Sequence, residues 1–251
     1  MEGQRVNLLI VGAAGEVCRA VARRMASRAT IVLADADGDT ARAFAAELRD
    51  AGHLAHGYSV DISRSEAVAA MFVELGRDIG PIHSLFYGTG GYAAKPIEAI
   101  TEDDWQIMIG TQVKGAYLCA KALLPQMRER CGGSIVTMAS GHAVSGFADN
   151  VAYAAAQTAL YALTKSLARA FASDRIRVNA IGPSAIDDEI LCGEKSPNEW
   201  ERIKSDRAQE TPMRRLGRAE EVAAAVDFLL GERSSYLTGQ IIHINGGALM
   251  W

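Results

Sequence analysis

Apolar positions along the chain follow two alternating patterns. Short apolar runs recur at VNLLIVG (6–12), TIVLA (30–34), LAHGYSV (54–60), IHSLFYG (82–88), SIVTM (134–138), RIRVNAI (175–181) and QIIHI (240–244). Runs of this length and β-branched content are those of strands, and the continuous ones fit strands covered on both faces. Between them lie longer stretches with helical spacing: 19–29, Asp39 to Asp50 with Gly52 just past the end, AVAAMFVEL, 101–130, 150–171 and 219–230. In SRSE, Ser63 and Glu66 have the spacing of a capping box opening the third helix. A helix opening near TEDD runs to about Arg130. Strand and helix in strict alternation form a βαβ series. The pattern therefore predicts an α/β fold: a doubly wound parallel sheet of about seven strands with helices on both faces.

Composition narrows the function classes. The chain has 251 residues, 49% of them hydrophobic, and a net charge of −4. That supports one large core in a single domain, 1–251, and gives no electrostatic reason to expect nucleic acid or an anionic membrane. MEGQRVNLLIVG lacks the features of a cleavable signal, and no apolar run approaches the ~20 residues of a spanning helix, so a cytoplasmic location is expected. Cys18, Cys119, Cys131 and Cys192 are scattered without a CxxC pair and read as reduced thiols. The five histidines are isolated, so no metal site is expected. One stretch departs from the average: AIDDEILCGEKSPNEWERIKSDRAQE (185–210) is highly charged and follows a strand's carboxyl end. It reads either as a solvated insertion or as a lid over a ligand.

The order of VGAAGEVCRA, Asp35, VDI at 60–62, VKGAY, Ser140, Tyr153, RVNAIGP, RRLGRAEEVA and TGQIIHINGG resembles the short-chain dehydrogenase/reductase family over nearly the whole chain. The resemblance implies a Rossmann-type domain, usually tetrameric, with NAD(P) as hydride carrier. It also assigns roles: Ser140 orients the substrate oxygen and Tyr153 transfers the proton. Gly12, Asp35, Asp61 and Gly90 stand at cofactor-binding positions. Asp35 would accept from a ribose 2′-OH and favour NAD, or else cap the next loop or helix. Gly12 and Gly15 serve equally as an ordinary strand–helix turn.

The departures are as informative as the matches. Glu16 and Cys18 replace later glycines of the phosphate-binding turn, the first putting a carboxylate where the pyrophosphate's charge belongs. Tyr87 stands where a small amide is usual, and Asp188 where a threonine reaches the nicotinamide. All four are expected to oppose the dinucleotide. Gln112 replaces the asparagine that anchors a water relay, and Gln157 replaces the lysine that holds the ribose and lowers the tyrosine pKa. A tyrosine at its ordinary pKa of ~10 is about one part in a thousand phenolate at pH 7. Bringing it near 7 takes roughly 4 kcal/mol, which an ammonium can supply in large part and a neutral amide cannot. His142 is a possible alternative acid/base or an ordinary loop histidine; Lys114 reads as structural, and Lys165 lies too far along its helix.

These losses point to a chain that folds and assembles without itself transferring hydride. The expectation is a non-catalytic subunit of a hetero-oligomeric NAD-dependent alcohol dehydrogenase acting on a hydroxyacyl-CoA. It would bind no cofactor of its own and pair in a mixed tetramer with a homologous active chain that carries the NAD. The alternatives are a stand-alone NAD-dependent oxidoreductase with a divergent site, and a non-redox isomerase or dehydratase using Tyr153, Ser140 and His142. The surfaces expected to meet the partner are the helices at 101–130 and 150–171, the latter through Tyr153, Tyr161 and Leu163, and the closing segment TGQIIHINGGALMW.

Overall fold

A computed structural model describes residues 5–90, 95–148, 150–187 and 196–250. Its centre is a seven-stranded parallel sheet in the order β3-β2-β1-β4-β5-β6-β7. The strands are β1 Val6–Val11, β2 Ala29–Asp35, β3 Ala55–Ser59, β4 Ser84–Tyr87, β5 Gly133–Met138, β6 Ile176–Pro183 and β7 Ile241–Ile244. Alternation sends Leu8 and Ile10 of β1 to one face and Leu9 and Val11 to the other, and all four are buried. That is why the run reads as continuously apolar.

On the first face pack α1 (Glu16–Met25), α2 (Gly38–Asp50) and α9 (Ala219–Leu230). Asp227 of α9 ties this layer together, accepting from Arg24 Nε at 2.8 Å and from Arg28. On the second face lie α3 (Ser65–Asp78), α5 (Gly115–Glu129) and α7 (Val151–Phe171). The remaining helices, α4 (Glu102–Ile109), α6 (His142–Ser145) and α8 (Pro197–Glu210), border the carboxyl end of the sheet or its flank.

Three local expectations need correction. Ser63 and Glu66 form no capping box: α3 starts at Ser65, and the Ser63 hydroxyl instead donates to Asp61 Oδ1 at 2.6 Å. The 101–130 helix is not uniform. It opens with a capping box between Thr101 and Asp104, then widens into one π turn at Gly110–Lys114 before continuing as α5. On α7, Tyr153 and Tyr161 point inward, both 6% exposed, and Leu163 packs half-buried against the core. The outward face is made by Ala155, Thr158, Ala162 and Ser166. The inward set 153, 157, 161, 164, 168 follows from helical periodicity, which turns one stripe to the sheet. Among the described residues no helix is long and apolar enough to cross a membrane.

Candidate functional site

The strand order reverses direction between β1 and β4, the point at which open α/β sheets form a cleft beyond their carboxyl ends. The chain leaves β1 through Gly12, whose φ of +94° suits glycine. A Cβ there would come within 2.9 Å of the Gly88 carbonyl, so the β1 and β4 exits touch backbone to backbone. Asp35, at the end of β2, divides its carboxylate between two turns: Oδ2 accepts from Ala14 N–H in the β1 exit at 3.0 Å and Oδ1 from Asp37 N–H before α2 at 3.1 Å. Its loop-capping role is therefore what the geometry displays. Asp61 serves α3's approach through Ser63, whose hydroxyl bond is the main cause holding its carboxyl below the ordinary value.

Two residues expected to crowd the cleft turn away from it. Cys18 is fully buried between α1 and the sheet, its thiol facing the carbonyls of Val11 and Gly88 at 3.8 and 3.6 Å. Room for it comes from Gly88, where any Cβ would lie 2.3 Å from the sulfur. Tyr87 shares a strand face with Leu85 and plunges into the second core, where its hydroxyl donates to the Thr111 carbonyl in the π turn. Gly115 leaves the space for that hydroxyl. Burial pushes the Tyr87 phenol well above its ordinary pKa, so it stays protonated. Glu16 does not cap its helix either; its carboxylate leans along α1 toward Arg23 Nη1 at 3.5 Å. Asp188 and Cys192 lie outside the described residues.

The substrate side is built on β5, α6 and α7. Ser140 follows β5, its Oγ accepting from His142 N–H at 3.2 Å, while Tyr161 O–H donates to the Ser140 carbonyl at 3.0 Å. Asn150 caps α7 by accepting from Tyr153 N–H at 2.9 Å, which fixes where Tyr153 enters the cleft. Phe147 meets the Tyr153 ring edge-on at 6.2 Å and stacks on His142 at 4.1 Å. One turn along α7, Gln157 is 1% exposed. Its Nε2 donates to Gln112 Oε1 at 2.5 Å, and Gln112 Nε2 is aimed at Met108 Sδ at 2.7 Å. Gln157 Oε1 has no hydrogen-bond partner among the described residues. Lys114, on the same π turn as Gln112, is exposed and acts at a distance on Asp61 and Glu66, lowering both carboxyls slightly.

Ser140, Tyr153, Gln157, His142 and Gly90 all line one cavity of about 370 Å³, with Gln112 directly behind Gln157. Met138, Phe147 and Ile186 give it apolar walls, and Arg207 and Glu210 of α8 close one side. The charged segment thus reaches the cavity, as a lid would. Gly12, Glu16, Cys18, Asp35, Asp61 and Tyr87 are not among its lining residues. Tyr161, expected on an outer surface, instead supports the Ser140 carbonyl from within α7, and Arg207 belongs to the charged 185–210 stretch expected either as a solvated insertion or as a lid. Among the described residues no three His, Cys, Asp or Glu side chains converge on a metal position.

The fold and this Ser–Tyr cleft define a Rossmann-type oxidoreductase scaffold. Residues 12–248 match the family model described as enoyl-(acyl carrier protein) reductase. The chain is 33% identical over 244 residues to cis-4-hydroxycyclohexanecarboxylate dehydrogenase of Sinomonas cyclohexanicum, covering 95% of this chain and 94% of that protein. It is 30% identical to a 3-oxoacyl-(acyl-carrier-protein) reductase of Aquifex aeolicus, with 95% of each chain covered. A solved structure of 7α-hydroxysteroid dehydrogenase, complexed with NADH and 7-oxo glycochenodeoxycholic acid, superposes with a TM-score of 0.89 at 27% identity, covering 96% of this chain and 93% of that one. The chain belongs to the short-chain dehydrogenase/reductase family.

Proposed function

We propose that this chain is the non-catalytic subunit of a hetero-oligomeric NAD-dependent alcohol dehydrogenase of the family, working beside a homologous chain with an intact Tyr–Lys pair. The observation that carries the reading is the buried Gln157–Gln112 amide pair. It occupies the place where an ammonium is needed to bring Tyr153 toward phenolate near neutral pH, and an amide supplies no charge. The described lining offers no lysine as a substitute.

The described residues fit a dinucleotide only in part. Cys18 and Tyr87 leave the backbone approach at Gly12 open. Against that, Ala14 N–H is already engaged by Asp35, and Glu16 sets a carboxylate in the first turn of α1. A negative charge there offsets the positive helix end that would receive a pyrophosphate. We therefore assign no hydride transfer to this chain. Within it, Ser140 and Tyr153 can orient a ligand oxygen, while α8 screens the cavity from water.

The partner surface is supported by apolar side chains left outside the core. Trp105, Ile107 and Tyr117, on the α4–α5 helix, are 41%, 62% and 43% exposed. Together with the small outward residues of α7 they form faces that a related chain could cover, and a duplicated, diverged chain inherits such faces for hetero-pairing. A hydroxyacyl-CoA substrate fits the resemblance best. The case it suggests is 2-(α-hydroxybenzyl)succinyl-CoA dehydrogenase, a heteromer of an inactive and an active subunit. The reductase and hydroxy-acid dehydrogenase relatives act on neighbouring chemistry.

A second reading is favoured by the inward turn of Cys18 and Tyr87: the chain binds NAD but leaves Tyr153 unactivated. Isothermal titration separates the two. The subunit reading expects NAD to bind the isolated chain more weakly than about 1 mM; binding tighter than about 100 μM would revive a stand-alone oxidoreductase. Gln157→Lys is expected to give no turnover with NADH and a β-keto thioester. Measurable turnover in that single variant would reduce the case for inactivity to one residue.

A further inference from the structure

Lys165 stands on α7 about three turns beyond Tyr153 and takes no part in the cleft. With Arg169 of the same helix it lines a second, open pocket of about 480 Å³, whose other side is Thr238, Gly239 and Gln240. Those three residues lead into β7, so the pocket lies at the amino end of the sheet, opposite the cleft. On α7 it occupies the flank between the buried stripe that includes Ala168 and the small outward residues. Small residues make the hollow: a Cβ at Gly239, where φ is +72°, would lie 3.4 Å from that of Ala168.

The chemistry of this lining is one-sided. Lys165 and Arg169 are exposed, one turn apart, and among the described residues neither side chain makes an ion pair or hydrogen bond. Like charges at this spacing repel. Attraction to the carboxyl end of the helix offsets the repulsion for Arg169, in the last turn, but fades before Lys165. Thr238 Oγ1 accepts from Val178 N–H at 3.1 Å, which leaves its own proton to donate. Gln240 Nε2 gives one N–H to the Thr238 carbonyl at 3.0 Å and keeps the other. The described lining holds no carboxylate, in a chain whose net charge is −4. Two cations and two neutral donors around one hollow are complementary to an oxyanion. We propose that this pocket binds a phosphate group, free or carried on a small molecule. Lys165 and Arg169 supply the charge, and Thr238 and Gln240 the neutral hydrogen bonds. A phosphomonoester carries close to two negative charges at neutral pH, which matches the two cations. The pocket shares no lining residue with the cleft, so its occupancy is independent of whether the chain transfers hydride.

The test is calorimetric titration of the whole chain, at constant ionic strength, with inorganic phosphate, pyrophosphate and ribose 5-phosphate, beside acetylation footprinting of its lysines. Pyrophosphate should bind with a Kd of about 1 mM or tighter and slow acetylation of Lys165 about threefold or more, leaving Lys121 of α5 unprotected. Ribose 5-phosphate binding more tightly than inorganic phosphate would assign the site to an organic phosphate, and equal affinity to the free anion. The double change Lys165→Gln, Arg169→Gln should weaken pyrophosphate about tenfold or more, and Lys121→Gln should leave it within about twofold. Because the double change removes a repulsion, the variant should melt no lower than the unaltered chain. Absence of saturable binding below about 10 mM overturns the proposal, as does binding that leaves Lys165 unprotected, measurements that need no variant to fold. Unchanged affinity in the double variant overturns it too. A fall in melting temperature of about 5 °C or more would make the two cations structural and overturn their assignment.

Discussion

The two sides of the cleft have absorbed substitution in different ways. On the β1–α1–β4 side the unusual residues Cys18 and Tyr87 each have a matching adjustment. Cys18 is housed by Gly88, and Tyr87 reaches the Thr111 carbonyl past Gly115. Asp35 satisfies the Ala14 amide. On the β5–α7 side, Gln157 finds a partner for its nitrogen and, among the described residues, none for its oxygen. Buried polar groups are almost always paired, so the first side behaves as structure and the second as a place still open to chemistry. On the first side Cys18 and Tyr87 pack into the core, and on the second Gln157 stands on a cavity.

Breaking the first side should cost the most. Gly88→Ala puts a methyl 2.3 Å from the Cys18 sulfur and is expected to destabilise the fold by about 1–3 kcal/mol in urea denaturation. Adding Cys18→Gly should recover most of that loss. A double-mutant coupling near zero would show that the two positions are independent. Tyr87→Phe comes next: it removes the shorter of two side-chain hydrogen bonds to the Thr111 carbonyl, leaving that from Thr89, at a cost of about 1 kcal/mol in the same assay.

The amide pair should respond less. Gln157→Met alone strands Gln112 Oε1 but removes an acceptor that was already unpaired, so a loss of about 1 kcal/mol or less is expected. The double change Gln112→Leu, Gln157→Met removes both partners and should be milder than the sum of the single losses. If the double variant were the worse, the pair would be a structural element like Cys18 and Gly88, and the contrast between the two sides would disappear.

The smallest expected effect lies far from the cleft and calibrates the others. Hydrogen bonding to Arg215, then to the Arg218 amide, brings the Glu221 carboxyl from 4.5 down to about 2. A folded-state pKa below the unfolded one gives stability that is present above about pH 4.5 and is lost as the pH falls toward 2. Glu221→Gln should flatten the pH dependence of the melting temperature in that window and leave it unchanged at pH 7. The group is exposed, so the change should be slight.

The sheet was legible because strands covered on both faces must be apolar throughout, and helices covered on one face must not be. Ser140, Tyr153 and Gln157 were legible through the family resemblance, and the structure brings all three to one cavity. Direction was harder. The inward aim of Tyr87 was available from parity, since it lies two residues after buried Leu85 on one strand. That of Cys18 was not, because it depends on Gly88, seventy positions away in sequence. Tyr153 and Tyr161 were assigned to an outer surface by composition, and helical periodicity against the sheet decided otherwise. The π turn that carries Gln112 has no sequence signature here; it is visible in the backbone hydrogen bond from Gly115 N–H to the Gly110 carbonyl.

The central claim is that Tyr153 performs no proton transfer, and one substitution tests it in the assembled enzyme. Tyr153→Phe removes the phenolic hydroxyl and keeps the ring against Phe147. The chain would be co-expressed with a homologous dehydrogenase chain that keeps the Tyr–Lys pair, and the purified complex assayed for NAD-linked oxidation of its hydroxyacyl-CoA. The account predicts that kcat of the complex is unchanged within about twofold when Tyr153 is phenylalanine, and that it collapses when the equivalent tyrosine of the other chain is altered. Loss of half or more of the turnover on Tyr153→Phe, with the complex still assembled by native mass spectrometry, would contradict it.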